Sequence, residues 1–472
     1  MFVGREKELA EMERLYRTPG FQMVVLYGRR RVGKTTLIEK FSHSKKTLFF
    51  TVKVQVDKEN LRDFSKVVYE FFDMPTTMPS FGSWDDAFGF VAEQARNERI
   101  VLVFDEFPYA AKANASLPSV VQIAIDRQMK RSNIYLILSG SNQGFMESEV
   151  LGRESPLFGR RTAQLRLSAF GYLDSARMLE GVSLEDQVKY YSCIGGTPYY
   201  LSLVDVRDSF ESNIKRLFFE KTGFLYEEPL MLLRQELREP MVYASVLGAV
   251  AQGAVKAKEI ADRLDIEKSA VSRYVATLKA LGIVDRKVPF GDNVETSRKG
   301  IYTLNEGYFS YWYRFVKPYV GEVEQGSGSL VADQFAFGEA LSTYVGQRFE
   351  GICQEWLRMQ ALDGRLPFPA ISFGQWWGSD PLRKSQTDID AVAANRLTKQ
   401  ALFGECKWRE SFDETAALAR VQDDAPRLIG GYDDVWSALF TKRPVSGGTK
   451  EKAAKAKGRI LLVDLETLYE DL

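Results

Sequence analysis

An α/β architecture is predicted from three places in the chain. Residues 23–27, MVVLY, are an apolar run the length of a buried strand; the glycine-rich GRRRVGKT from Gly28 to Thr35 follows, and TLIEKF continues at helical spacing. IVLVFDEF, residues 100–107, is a second buried-strand pattern, and it ends in two carboxylates. Residues 386–408 read as two strands around a polar turn, presenting Asp390 on the first and Glu405 with Lys407 on the second. The first two segments belong to a parallel-sheet domain and the third to a separate α/β domain. A chain of 472 residues exceeds what one core usually serves, so several domains are expected.

The strand–loop–helix at the N-terminus matches GxxxxGK[ST], the phosphate-cradling P-loop. Gly28 and Gly33 let the backbone wrap phosphates, and the main-chain N–H groups of Arg29, Arg30, Arg31, Val32 and Thr36 face the negative charge with the helix dipole behind them. Lys34 reaches the terminal phosphates and Thr35 offers its hydroxyl to Mg2+. Asp105, at the end of the second strand, then completes the magnesium shell, and Glu106 polarises the attacking water. A third strand, NIYLILSGSN, ends in Ser139, Ser141 and Asn142; Ser141 is the candidate sensor of the γ-phosphate, with an ordinary polar turn as the alternative. ATP with Mg2+ is the expected ligand.

Composition removes other chemistries. His43 is the single histidine, which argues against Ser-His-Asp relays and two-histidine metal sites. Lysine plus arginine equals aspartate plus glutamate, 63 each, so any DNA binding must be local. Three scattered cysteines fit a reducing cytoplasm, and no apolar run approaches a membrane span. The expectation is a cytoplasmic protein with no membrane partner, for which oligomerisation stays open.

Residues 256–282 read as two helices about a short turn, with Ile260, Leu264, Val271, Val275, Leu278 and Leu281 at helical spacing. The hairpin-like segments after them complete a winged helix. In a DNA-binding mode Lys268, Ser269, Ser272 and Arg273 would meet bases and phosphates, and Arg286 and Lys287 would grip the backbone; a docking module is the alternative. The aromatic segment 307–320 is read as core, GEVEQGSGSL at 321–330 as a flexible connection, and the basic stretch 441–459 as a mobile loop.

In the C-terminal part, alternation puts Glu405 and Lys407 on one strand face. Two carboxylates and a lysine are what a PD-(D/E)xK phosphodiesterase requires: Asp390 and Glu405 to hold a hard divalent cation, Lys407 to orient water and offset developing charge. Glu350, in a predicted helix, could extend the set, and Asp388 shares the face of Asp390. A salt-bridged hairpin is the competing reading.

FVGRE at 2–6, the P-loop, the acidic strand end, SGSN, LFGRR at 157–161 and IGGTPYYL at 194–201 together resemble an archaeal and bacterial ATPase family related to AAA+ and STAND ATPases. The resemblance implies that Val3, Gly4 and Arg5 lie near adenine, that Arg160 approaches phosphate, and that Pro198 of a helical lid contacts nucleotide. It also implies a C-terminal domain of restriction-endonuclease-like fold, although Ile389-Asp390 departs from the proline-aspartate opening. The expected domains are a P-loop ATPase core at 1–170, a helical lid at 171–235, a winged helix at 236–320 and a nuclease-like domain at 331–472. Two functions follow: an ATPase acting on DNA through a metal-dependent nuclease-like domain, or a STAND-like regulatory switch whose C-terminal domains only bind DNA or protein.

Overall fold

The computed structural model describes residues 2–470. The chain forms two compact units, Met1–Ala169 and Phe170–Leu472.

The first unit is built on five parallel strands: β1 (Gln22–Gly28), β2 (Thr47–Thr51), β3 (Ile100–Asp105), β4 (Ile134–Gly140) and β5 (Ala163–Leu167). Their order is β2-β3-β4-β1-β5. β1, β3 and β4 are buried along their whole length, because helices cover both faces of a parallel sheet. Alternate residues therefore feed two cores: Val25, Leu102 and Leu136 on one side, Val24, Val103 and Ile137 on the other. The β4 strand lies between β1 and β3, so the loop after β4 sits beside both the P-loop and the acidic end of β3.

The second unit begins with helices, among them Leu184–Ile194 and Phe224–Glu236. A winged helix follows: helices Pro240–Ala251, Ala257–Leu264 and Lys268–Ala280, then the hairpin β6 (Val284–Lys287) with β7 (Ile301–Leu304). The aromatic segment supplies core, with Tyr308, Tyr311, Trp312 and Tyr313 all buried. A second sheet has the order β12-β11-β10-β9-β8. Its strands are β8 (Ser372–Asp380), β9 (Ser385–Asn395), β10 (Gln400–Lys407), β11 (Asp434–Thr441) and β12 (Ile460–Val463). β8, β9 and β10 run antiparallel, and β10, β11 and β12 parallel. The 25-residue helix Gly338–Leu362 packs across β8, β9 and β10.

Two segments differ from their sequence expectation. Residues 321–330 are a packed turn between short helices rather than a flexible connection: a Cβ on Gly328 would lie 1.8 Å from the Phe219 carbonyl oxygen. The basic stretch contains the helix Gly447–Lys455, whose first turn is capped by Ser446; Glu414 in turn accepts from the Ser446 and Thr449 hydroxyls.

Candidate functional site

The P-loop is shaped by steric necessity at two positions. A Cβ on Gly28 would lie 2.2 Å from the Leu167 carbonyl oxygen, so only glycine lets β1 pass so close to β5 as it enters the loop. Gly33 has φ 88°, which starts the helix Lys34–Ser42 from a left-handed residue. Lys34 Nζ donates to the carbonyls of Gly28 and Arg29, both at 2.9 Å. This folds the ammonium back over the loop.

Thr35 and Thr36 are exposed on the first helical turn. Thr35 Oγ1 donates to Asp105 Oδ2 at 3.0 Å, so the hydroxyl and the buried carboxylate meet across the two motifs. Asp105 Oδ1 accepts the backbone N–H of Glu106 at 3.2 Å. Glu106 itself is left-handed, with φ 57°, a conformation that costs a non-glycine residue free energy and recurs at functional sites. Its Oε2 accepts from the Ser141 amide at 3.2 Å and the Ser141 hydroxyl at 2.8 Å. The loop after β4 thus fixes the carboxylate that follows β3. Oxygens of Thr35 and Asp105 suit a hard cation such as Mg2+, and the Glu106 carboxylate stands one residue further along the chain, fixed by Ser141.

The residues implied by resemblance fall differently. Arg5 donates to the Val32 carbonyl at 3.2 Å and to the Ser168 carbonyl, which ties the FVGRE segment, with Val3 buried and Gly4 at φ 65°, to the P-loop. Arg30 donates to the Tyr109 hydroxyl at 2.5 Å. Arg160 has another partner than the expected phosphate. Its Nε and one terminal nitrogen hold Asp126 at 3.1 and 2.7 Å, and the other terminal nitrogen donates to the carbonyls of Pro156 and Phe158. That guanidinium, and after it Lys130, lowers the Asp126 carboxyl to about 2. Pro198 opens the short helix Pro198–Leu201 of the second unit.

In the second sheet, β9 and β10 bring Asp390 and Glu405 together, both buried. Asp390 Oδ2 accepts the Cys406 N–H at 2.8 Å. Burial, and then the charge of Glu405, pushes Asp390 up to about 7. Glu350, on the helix Gly338–Leu362, is pushed up to about 8 by burial and then by Asp390. Lys407 Nζ lies 2.5 Å from Glu405 Oε1. Arg420, which sequence reasoning missed, lies 3.4 Å from Glu405 Oε2 through its Nε and also pairs with Asp388. Nothing in the sequence around Arg420 marks it, because only the tertiary fold brings its helix to β10. Beside Glu405 and Lys407 opens a cavity of about 330 Å³, walled by Arg409, Phe412, Asp413 and Arg420.

Among the described residues no three His, Cys, Asp or Glu side chains converge as a metal cluster. The donor set still fits a hard cation. Two adjacent buried carboxylates repel one another and offer the oxygen donors a hard cation takes, while Lys407 and Arg420 stand against Glu405 in this structure. A cation held by Asp390 and Glu405 would draw its other oxygens from water and substrate.

The winged helix keeps Lys268, Ser269, Ser272 and Arg273 exposed on the helix Lys268–Ala280. Arg286 and Lys287 are not available as backbone grips. The Arg286 guanidinium donates to the carbonyls of Val294 and Ser297, inside its own hairpin, and Lys287 Nζ donates to Gln375 Oε1 at 3.2 Å.

Comparison with known proteins matches these parts separately. Residues 2–204 match an ATPase domain found predominantly in Archaea. The first part of the chain is therefore a P-loop ATPase domain. Residues 240–292 match the MarR family, and residues 312–418 match archaeal and bacterial proteins of unknown function. An uncharacterized protein of Methanocaldococcus jannaschii is 29% identical over 470 residues, covering 99% of both chains. An uncharacterized ATP-binding protein of the same organism is 52% identical over 46 residues, 10% of this chain and 78% of that protein. The Walker-type ATPase of Pyrococcus abyssi shares the fold at a TM-score of 0.52 and 19% identity, over 66% of this chain and 96% of that one. Among the described residues no helix is long and apolar enough to cross a membrane.

Proposed function

We propose that the chain is an ATP-hydrolysing protein acting on DNA, with a divalent-cation phosphodiester-cleaving site in its second unit. In the ATPase domain the P-loop from Gly28 to Thr36 cradles the phosphates, Lys34 neutralises the terminal ones, Thr35 and Asp105 hold Mg2+, and Glu106 orients the water with Ser141 beside it. Val3, Gly4 and Arg5 border the nucleoside, and Arg160 reaches phosphate only after leaving Asp126.

The observation that carries the second half is the convergence of Asp390, Glu405 and Lys407 on adjoining strands. A bound cation would supply Lewis acidity at a phosphoryl oxygen. Lys407 would orient the water, and Arg409 and Arg420 would meet the phosphodiester in the adjacent cavity. The winged helix supplies the DNA contact through Lys268, Ser269, Ser272 and Arg273.

The test is Mg2+- or Mn2+-dependent cleavage of plasmid and single-stranded DNA, with and without ATP. Cleavage lost in Lys407→Ala supports the reading, and further loss in Lys34→Ala makes it ATP-gated. ATP turnover without cleavage favours a second reading, a nucleotide-dependent regulatory switch whose C-terminal domains only bind DNA or protein. The observation on its side is that Lys407 and Arg420 both already engage Glu405.

A further inference from the structure

The ladder between β8 and β9 shifts register at the acidic site. Gly374 faces Val392, but Trp376 faces Ile389, so two residues of β9, Asp390 and Ala391, stand opposite the single residue Gln375. This is a β-bulge in the strand that carries Asp390. A bulge leaves ladder groups unpaired and re-aims side chains, and bulges recur beside active sites.

Two other elements satisfy the groups at this bulge. Gln354 Nε2, on the helix Gly338–Leu362, donates to the Asp390 carbonyl at 2.9 Å. From the opposite side Phe290 donates its backbone N–H to the Gln375 carbonyl at 2.7 Å. Phe290 lies between β6 and β7, in the wing of the winged helix, and its ring packs against the cluster containing Ile389, Val392 and Phe403.

The Gln375 side chain is held at both ends. Lys287 Nζ, from β6, donates to Oε1 at 3.2 Å, and Nε2 donates to Glu350 Oε2 at 3.1 Å. A lysine only donates, so Lys287 fixes the amide oxygen toward itself and leaves the amide nitrogen to donate to Glu350. Glu350 and Gln354 are one helical turn apart and share the face turned to the bulge.

We propose that the wing is a working part of the acidic site: Lys287 and Gln375 are positioning residues that hold the Glu350 carboxylate beside Asp390 and so set the affinity of Asp390 and Glu405 for a divalent cation. The inference rests on the reading of Asp390 and Glu405 as cation-holding residues. It also gives Lys287 a role other than the DNA grip expected from its place in a wing. Supporting partners of metal ligands typically change metal affinity about 10–100-fold when removed.

The experiment is calorimetric titration of Mn2+ into the full chain without nucleotide, paired with thermal unfolding of each variant. Asp390→Asn should abolish binding, Gln375→Ala and Lys287→Met should weaken it about tenfold or more, and Lys287→Arg should restore most of it. A merely structural role predicts a lower melting temperature together with weaker binding. A positioning role predicts weaker binding at an unchanged or higher melting temperature in Lys287→Met, because burial already disfavours that ammonium. Unchanged Mn2+ affinity in both Gln375→Ala and Lys287→Met, with binding lost in Asp390→Asn, overturns the inference and leaves the site reading standing. Binding unaffected by Asp390→Asn overturns the site reading itself.

Discussion

Replacing Glu106 with glutamine isolates one chemical property of the ATPase site. Glu106 Oε2 accepts both the amide and the hydroxyl of Ser141, at 3.2 and 2.8 Å. A glutamine carbonyl oxygen can take the same place and accept the same two hydrogen bonds, so the side chain stays where it is. The negative charge and the proton-accepting lone pair are lost. A positioned base typically contributes about 10²–10⁴ in rate, which at about 1.4 kcal/mol per tenfold is roughly 3–6 kcal/mol of barrier. ATP affinity should change little, since Lys34, Thr35 and Asp105 are untouched. Ser141→Ala provides the graded control. It removes the hydroxyl donor but keeps the amide, and a hydrogen bond to a charged group is worth about 1.5–3 kcal/mol, so turnover should fall by at least about tenfold. Steady-state phosphate release and equilibrium binding of a fluorescent ATP analogue separate the two effects. If Glu106→Gln turns over ATP at more than about a tenth of the native rate, the role given to Glu106 is wrong. If it loses nucleotide binding as well, the argument from preserved hydrogen bonds fails.

Other perturbations test other parts of the structure. Gly28→Ala places a Cβ 2.2 Å from the Leu167 carbonyl oxygen; it should cost about 1–3 kcal/mol in chemical denaturation and remove ATP binding, because β5 must shift. Arg160→Ala removes the chief partner of Asp126, whose carboxyl is lowered to about 2. A depressed acid stabilises the fold above its ordinary pKa of about 4 and loses that contribution as pH falls through about 2, so in urea titrations the variant's deficit should be largest at pH 7 and shrink toward pH 2 to what the lost bonds to the Pro156 and Phe158 carbonyls leave. Asp390 has the opposite sign. Its carboxyl is raised to about 7, so its ionisation opposes folding increasingly from about pH 4 and fully above about pH 7. Without divalent cation, Asp390→Asn should therefore melt higher than the native chain at pH 8 and with no such advantage at pH 4.

What could be read from the sequence were the features that one stretch of chain imposes on itself. MVVLY, GRRRVGKT and TLIEKF sit side by side because strand, loop and helix must follow in that order, and Asp105 is visible as the polar end of an otherwise apolar strand. Asp390, Glu405 and Lys407 were legible for the same reason, since period-two alternation is a local property. The partners that fix these groups were not. Ser141 reaches Glu106 only because β4 lies between β1 and β3. Asp126 captures Arg160 from a helix 34 residues away. Arg420, Gln375 and Lys287 reach the acidic site from a helix, an outer strand and the wing. No spacing rule connects residues that meet only through sheet order. Lys287 makes the point most sharply: composition and position gave it the same standing as any basic wing residue, and in the structure its ammonium donates to a side-chain amide of its own chain. A basic residue in a wing is therefore evidence for DNA contact only once its nearest acceptor is known, and here that acceptor is Gln375.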